Sequence, residues 1–400
     1  MKSKTKDKNI KKAINVFKAS SLLNSIGNTI IGNTYVLFLS FTKGFSERQI
    51  SLIVGVLPLL SVVTFFIWGA LIDKYKRLLL INKFVNIINI STLAGLIWIS
   101  NFYIFLVFNL IRNVLIQPGG VVNEEYLLNL SNKYGATFGK IRVFSTIGYG
   151  LAGVISGLAL GFVSPKVTII LSSIFIMLNI IVLFFLPEIT KPEKEKEKSE
   201  KTKIIELFKN RDFKVFILTY GILTAAICSA MGYGIQMMLI KLNAPNFYIG
   251  MLPVLMISFE VVLLPYVEKL KFYKNVNLVL KIAGVLLIIR WILIGTVKSY
   301  IIIVWLTLMH GIINGFLIPL PNKVIWNVVP KEDHSTAIIV TNLCSYTIFP
   351  SIINLITGNI AGIFGIHSYG FTYLTLTIAA LGILIKYKIS NKTINEKEKG

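Results

Sequence analysis

Ile189-Thr-Lys-Pro-Glu-Lys-Glu-Lys-Glu-Lys-Ser-Glu-Lys-Thr-Lys203 alternates cations and anions and carries no large apolar side chain after Ile189. A stretch of this kind buries no core and reads as a solvated linker. What it interrupts decides the fold. On either side lie halves of near-equal length made of long apolar runs. Residues AVILMFWYC make up 54% of the chain and DEKR 15%. A soluble domain averages about 25% charged residues, because its surface must be covered with groups that water solvates. This chain has too few, so the apolar runs read as membrane spans. The predicted organisation is an N-terminal half over 1–188, a charged cytoplasmic linker over 189–211 and a C-terminal half over 212–400. Within the linker region, Thr202 to Phe208 reads as a short amphipathic helix on the membrane surface.

A helix rising about 1.5 Å per residue needs roughly 20 apolar residues to cross about 30 Å of hydrocarbon. Twelve such runs occur, near 17–41, 50–72, 78–98, 102–126, 141–162, 167–187, 213–239, 247–268, 277–297, 300–321, 336–361 and 368–387. The expected fold class is therefore all-α integral membrane, with twelve transmembrane helices in two six-helix bundles. Six spans on each side of the linker suggest an ancestral duplication. A soluble enzyme, a disulfide scaffold and a free nucleic-acid binder are excluded. The first run, from Phe17, lacks a small-x-small cleavage site and is expected to be retained as a span.

The net charge of +23 comes from lysines in short segments between spans. With both termini placed inside, the inner segments hold roughly 33 Lys and Arg, against five outside: Lys43, Arg48, Lys166, Lys241 and Lys298. That asymmetry obeys the positive-inside rule and predicts a multi-pass plasma-membrane protein with both termini cytoplasmic. Cys228 and Cys344 sit inside apolar runs with no metal-ligand spacing and read as packing residues. No cofactor or metal is expected.

Function should lie where polarity is expensive. A charge at mid-span costs about 2.5–3.5 kcal/mol on insertion scales. The intramembrane charges are Arg112, Glu124 and Glu125 in the fourth span, Arg142 opening the fifth, Glu260 in the eighth and Arg290 in the ninth, with the titratable His310 in the tenth. Counted from the span ends, Glu260, Arg290 and His310 fall within a helical turn or two of one depth, near the midplane. An acid, a base and an imidazole at one depth read as a proton or substrate site, or as a buried ion pair that fixes helix register. Asn314 follows His310 by one turn on the same face. Asn24 with Asn28, and Tyr233 with Gln236, form polar stripes on the first and seventh spans. A shared water-filled cavity would explain them, and so would polar helix–helix contacts.

Gly69-Ala-Leu-Ile-Asp73-Lys74-Tyr-Lys76-Arg77 resembles the G-x-x-x-D-[RK]-x-G-[RK] loop between the second and third spans of the major facilitator superfamily, with Lys76 where glycine is usual. The resemblance implies that Gly69, Asp73, Lys74 and Arg77 form a gating loop. Phe138-Gly-Lys140-Ile-Arg142-Val-Phe-Ser-Thr-Ile-Gly148-Tyr149-Gly resembles the start of the fifth span in the oligosaccharide:proton symporters, typified by lactose permease, and in the related nucleoside:proton symporters. Glu124 precedes Arg142 by 18 residues and Arg290 precedes His310 by 20, as in that family. The resemblance implies that Glu124 and Arg142 bind hydroxyls and that Tyr149 stacks on a ring. Asn28, His310 and Asn314 complete the candidate substrate set, and Glu260, Arg290, His310 and Arg112 the proton-coupling set.

The sequence also departs from that pattern. The family's proton-carrying glutamate falls on Ile313, its tenth-span lysine on Thr307, and the seventh span has no aspartate. Either Glu260 carries the proton, tuned by Arg290 and His310, or transport is not proton-coupled. The expectation is a permease moving a small polar, ring-bearing solute of the sugar or nucleoside type by alternating access, with a proton as coupling ion, and monomeric in the bilayer. The alternative is an exporter of amphipathic compounds on the same fold. Arg112-Asn-Val-Leu-Ile-Gln117-Pro-Gly119-Gly120 loosely resembles the superfamily's fourth-span R-x-x-x-G-x-G-type motif and supports it. A membrane enzyme lacks support: His310, His334 and His367 are far apart in sequence and show no ligand spacing.

Overall fold

The computed structural model describes residues 2–75, 77–134, 138–188 and 200–390, and its regular elements are all helices. In order they are α1 (Lys2–Leu37), α2 (Glu47–Tyr75), α3 (Leu78–Trp98), α4 (Phe102–Ile116), α5 (Pro118–Tyr134), α6 (Phe138–Phe162), α7 (Pro165–Leu183), α8 (Glu200–Lys209) and α9 (Arg211–Ser229). There follow α10 (Ile235–Lys241), α11 (Asn246–Val267), α12 (Val276–Thr296), α13 (Tyr300–Leu306), α14 (Leu308–Leu317), α15 (Leu320–Val328), α16 (His334–Leu343), α17 (Phe349–Phe364) and α18 (Ser368–Lys386). Three π-helical segments, Phe38–Thr42, Ala230–Gly234 and Cys344–Ile348, extend α1 or join α9 to α10 and α16 to α17.

Eleven stretches among the described residues are long and apolar enough to cross a membrane, and they coincide with the second to twelfth predicted spans. The first predicted span is helical too, but it carries Ser20, Ser21, Asn24, Ser25, Asn28, Asn33 and Thr34. The fourth span breaks at Pro118, which lacks an amide hydrogen, into α4 and α5. The tenth breaks at Thr307 and again before Leu320, beside Pro319 and Pro321. The predicted surface helix is α8.

The chain divides into two compact units: Met1–Ser46, Leu59–Glu193 and Pro245–Val254 in the first, and Glu47–Pro58, Lys194–Ala244 and Leu255–Gly400 in the second. In the first unit α1 packs on α6 and α7, and α3 packs on α4, α5 and α7. The polar residues of α1 hold these contacts. Ser20 Oγ donates to Asn179 Oδ1 at 2.7 Å, Ser25 Oγ to the Ser145 carbonyl at 2.6 Å, and the Thr34 and Thr168 hydroxyls lie 2.8 Å apart. Asn33 Nδ2 donates to the Gly250 carbonyl of α11 at 2.9 Å. In hydrocarbon a polar side chain has no water to turn to, so each such bond fixes the register of two helices.

In the second unit α9 packs on α17 and α18, and α12 packs on α14 and α18. Small residues set the closest approach. A Cβ on Gly370 of α18 would lie 2.4 Å from the Gly295 amide nitrogen of α12, so the two backbones touch. The first turns of α2 belong to this unit. Tyr369 Oη donates to Glu47 Oε1 at 2.7 Å, Lys241 lies 3.5 Å from Glu47 Oε2, and Asn354 Nδ2 donates to the Val54 carbonyl at 3.3 Å. Tyr233 is buried and donates to the Glu47 carbonyl at 3.0 Å, and Gln236 Nε2 donates to the Met231 carbonyl at 3.3 Å. Tyr233 thus ties the seventh span to α2, while Gln236 bonds within its own helix.

Candidate functional site

The second unit brings Glu260 and His310 together, with Arg290 on the neighbouring α12. His310 and Asn314 sit one turn apart on α14. Between them, Gly311 lets α14 approach α11: a Cβ there would lie 2.6 Å from the Met256 carbonyl and 3.0 Å from the Glu260 amide. That approach brings Asn314 to the carboxylate. Asn314 Nδ2 lies 3.3 Å from Glu260 Oε2 and 3.1 Å from His310 Nε2. Its two protons serve both groups, so Nε2 accepts and the neutral imidazole carries its proton on Nδ1. Nδ1 makes no hydrogen bond with the protein. Glu260 is half-buried and His310 is buried.

Arg290 completes the group from α12. Its side chain is fully buried, Nη2 lies 3.2 Å from Met231 Sδ, and the guanidinium sits 4.8 Å from the Trp291 ring centroid. Nε and Nη1 find no protein partner, and no carboxylate pairs with Arg290 among the described residues. Its helix, α12, packs on α14, which carries His310. A buried guanidinium facing a thioether and an indole costs the fold several kcal/mol (roughly) unless something offsets it. With Glu260 ionised the cluster is neutral, and with Glu260 protonated it carries one positive charge. The arrangement can therefore register one proton as a change of net charge.

The first unit holds a second polar chain. Arg112 Nη2 of α4 donates to Asn89 Oδ1 at 2.6 Å, Asn89 Nδ2 donates to Asn28 Oδ1 at 3.4 Å, and Asn28 Nδ2 donates to Asn24 Oδ1 at 3.0 Å. Asn109, one turn before Arg112, donates to Tyr35 Oη. Arg112 is thus held by an amide. Asn89→Ala removes that acceptor from a buried guanidinium and is expected to cost about 1.5–3 kcal/mol. The measurement is the melting temperature of the detergent-purified protein, and an unchanged value would mean that Arg112 rests on other contacts.

The remaining predicted residues are placed as follows. Glu124 lies exposed on α5 and Tyr149 half-buried on α6. Arg142 lies on α6, with its side chain outside the described residues. Gly69, Asp73 and Lys74 belong to the last turns of α2, so most of the motif is helical. The side chains of Asp73 and Lys74, and the whole of Lys76, lie outside the described residues, and Arg77 is exposed at the start of α3. Sequence reasoning missed Asn89, Asn109, Tyr35 and Met231. It also missed a second amide chain in which Asn86 Nδ2 donates to Asn82 Oδ1 at 2.7 Å and Asn179 Nδ2 lies 3.5 Å from Asn86 Oδ1. The helical spacing of Asn82, Asn86 and Asn89 in an apolar run was the available signal. Met231 gave none.

The model of the MFS_1 like family matches residues 35–373. The crystal structure of the nucleoside transporter NupG is similar at a TM-score of 0.77 and 17% identity, over 94% of this chain and 98% of that one. A POT family transporter in complex with 5-aminolevulinic acid is similar at 0.69 and 13%, over 94% and 95%. A D-xylose-proton symporter is similar at 0.64 and 14%, over 95% and 99%. No curated protein matches the sequence. These likenesses establish the fold expected from the sequence.

Proposed function

The chain belongs to the MFS_1 like family, a membrane transporter and not an enzyme, and on that premise we propose that it is a proton-coupled secondary transporter of a small polar, ring-bearing solute. One observation carries the reading: the Glu260–Asn314–His310 cluster beside a buried Arg290 that pairs with no carboxylate among the described residues. Such groups are retained inside a membrane where they work on a substrate or an ion.

Glu260 takes up the proton. Asn314 ties the carboxylate to His310, and Arg290 supplies the fixed positive charge against which protonation is felt. Arg112 tunes the first unit through Asn89 and Asn28. Glu124, Arg142 and Tyr149 bind the hydroxyls and ring of the solute, a role supported by the spacing they share with the sugar and nucleoside symporters. Gly69, Asp73, Lys74 and Arg77 act at the cytoplasmic gate. The halves 1–188 and 212–400, joined by the linker 189–211, alternate access to the site. The protein works as a monomer in the plasma membrane with both termini in the cytoplasm, supported by the distribution of lysine and arginine.

The test is uptake by purified protein in proteoliposomes. An imposed gradient, alkaline inside, is expected to drive accumulation of labelled uridine or labelled lactose, and a protonophore to abolish it. Uptake that ignores the gradient would overturn proton coupling.

A further inference from the structure

The end of the second unit at which α9 begins and α18 stops carries a basic cluster. Past Lys386 the chain leaves α18 and is fastened to its neighbours. Ile389 and Asn277 of α12 exchange two hydrogen bonds, from the Ile389 amide to Asn277 Oδ1 at 2.9 Å and from Asn277 Nδ2 to the Ile389 carbonyl at 2.7 Å. The Ser390 amide donates to Asp212 Oδ1 of α9 at 3.3 Å. These bonds fix where Tyr387 lies. The Arg211 guanidinium comes 5.8 Å from the centroid of its ring, and Lys386 Nζ comes 5.0 Å from it. Two cations, from the first and the last span of the C-terminal half, thus share one ring.

Positive charge is in excess there. The segments Ile204–Lys214 and Lys386–Ser390 hold Lys209, Arg211, Lys214, Lys386 and Lys388 against Glu206 and Asp212. Asp212 is engaged by the Ser390 amide, and among the described residues neither Arg211 nor Lys386 pairs with a carboxylate. Both are exposed. Arg211 also opens α9, whose dipole adds positive charge at that end. An apolar flank accompanies the cations. Ile385 is 64% exposed and Tyr387 39%. Phe208 of α8 packs on Phe213 of α9, ring centroids 6.0 Å apart, and still leaves 38% of its surface open. A free phosphate would use the cations alone. Cations, an amphipathic ring and open apolar side chains at the ends of two membrane spans suit a ligand with an anionic head and acyl chains.

We infer that Arg211, Lys386 and Tyr387 form a headgroup site for an anionic glycerophospholipid of the bilayer. Its phosphate sits between the two cations, and its acyl chains lie against the open apolar side chains beside them. The site does not depend on which solute is carried or on proton coupling.

The test is native mass spectrometry of the purified full-length chain, released from micelles that contain phosphatidylglycerol, phosphatidylcholine, or phosphatidylglycerol with about tenfold excess inorganic phosphate. Wild type is expected to retain one phosphatidylglycerol at concentrations where phosphatidylcholine is lost, with or without the phosphate. Arg211→Gln and Lys386→Gln are each expected to weaken retention about fivefold, and the double variant about 25-fold. Lys298→Gln removes an exposed cation beyond the other end of α12 and is expected to leave retention unchanged. Where Arg211→Gln lowers the melting temperature without lipid, the exposed Lys386→Gln carries the comparison. Equal retention of the two lipids, or wild-type retention by the double variant, overturns the site. So does an equal loss in Lys298→Gln, which would mark a diffuse effect of net charge. Displacement by inorganic phosphate overturns it as well, because the cluster would then take a free anion.

Discussion

Glu260→Gln is expected to keep exchange of solute across the bilayer and to lose accumulation against a gradient. The amide mimics the protonated carboxyl in shape and charge, and it still presents an oxygen to Asn314 Nδ2, now 3.3 Å from Glu260 Oε2. Steps that occur with the site protonated therefore continue. Net transport needs the empty carrier to release its proton on the far side, and an amide has none to release. One pH unit is worth about 1.4 kcal/mol per proton and supports about tenfold accumulation for one proton per solute. A two-unit gradient is then expected to concentrate the solute about 100-fold in wild type and not at all in the variant. The paired measurement is gradient-driven uptake beside solute counterflow with no gradient. Accumulation that survives Glu260→Gln removes Glu260 from the proton path. Loss of counterflow as well would place the carboxylate in solute binding alone.

Arg290→Met is expected to stabilise the protein and to stop coupled transport. Replacing a buried charge by an apolar side chain of similar length is often neutral or stabilising, by about 1–4 kcal/mol. The surroundings favour that outcome here. Arg290 is fully buried, its nearest partner is the Met231 thioether at 3.2 Å, and Trp291 lies under the guanidinium. A flexible thioether fills such a site well. The melting temperature should rise by several degrees while gradient-driven uptake falls to background. A fall in melting temperature would show that the guanidinium is a structural tie. Retained coupling would show that Glu260 and His310 work without a fixed charge beside them. The combination of a more stable and less active protein is expected where a site retains an expensive group for function.

The relation between sequence and site is clearest in the residues that moved from expectation to geometry. His310 and Asn314 were legible as a pair because four residues make one helical turn. Their junction with Glu260 was not, because it depends on how closely α14 nears α11, and that is set by Gly311 against the Met256 carbonyl. Span counting predicts Arg290 level with the acid, yet its hydrogen-bond partner among the described residues is a sulfur carried by a π segment. Arg112 offered no sequence clue to its partner, which is an asparagine on α3. The stripe on the first span looked the same whether it faced water or another helix. Ser20, Ser25, Asn33 and Thr34 bond to neighbouring helices, and so does Asn28, which accepts from Asn89 of α3 although its side chain stays exposed.

Hydropathy, charge placement and span count are properties of short windows of chain, so the amino-acid order alone determined that this is a helical membrane protein and where most of its spans run. Which of their side chains touch depends on helix rotation and on the distance between helix axes. Both are set by small residues and π turns that act between segments remote in sequence, and only the folded chain decided them.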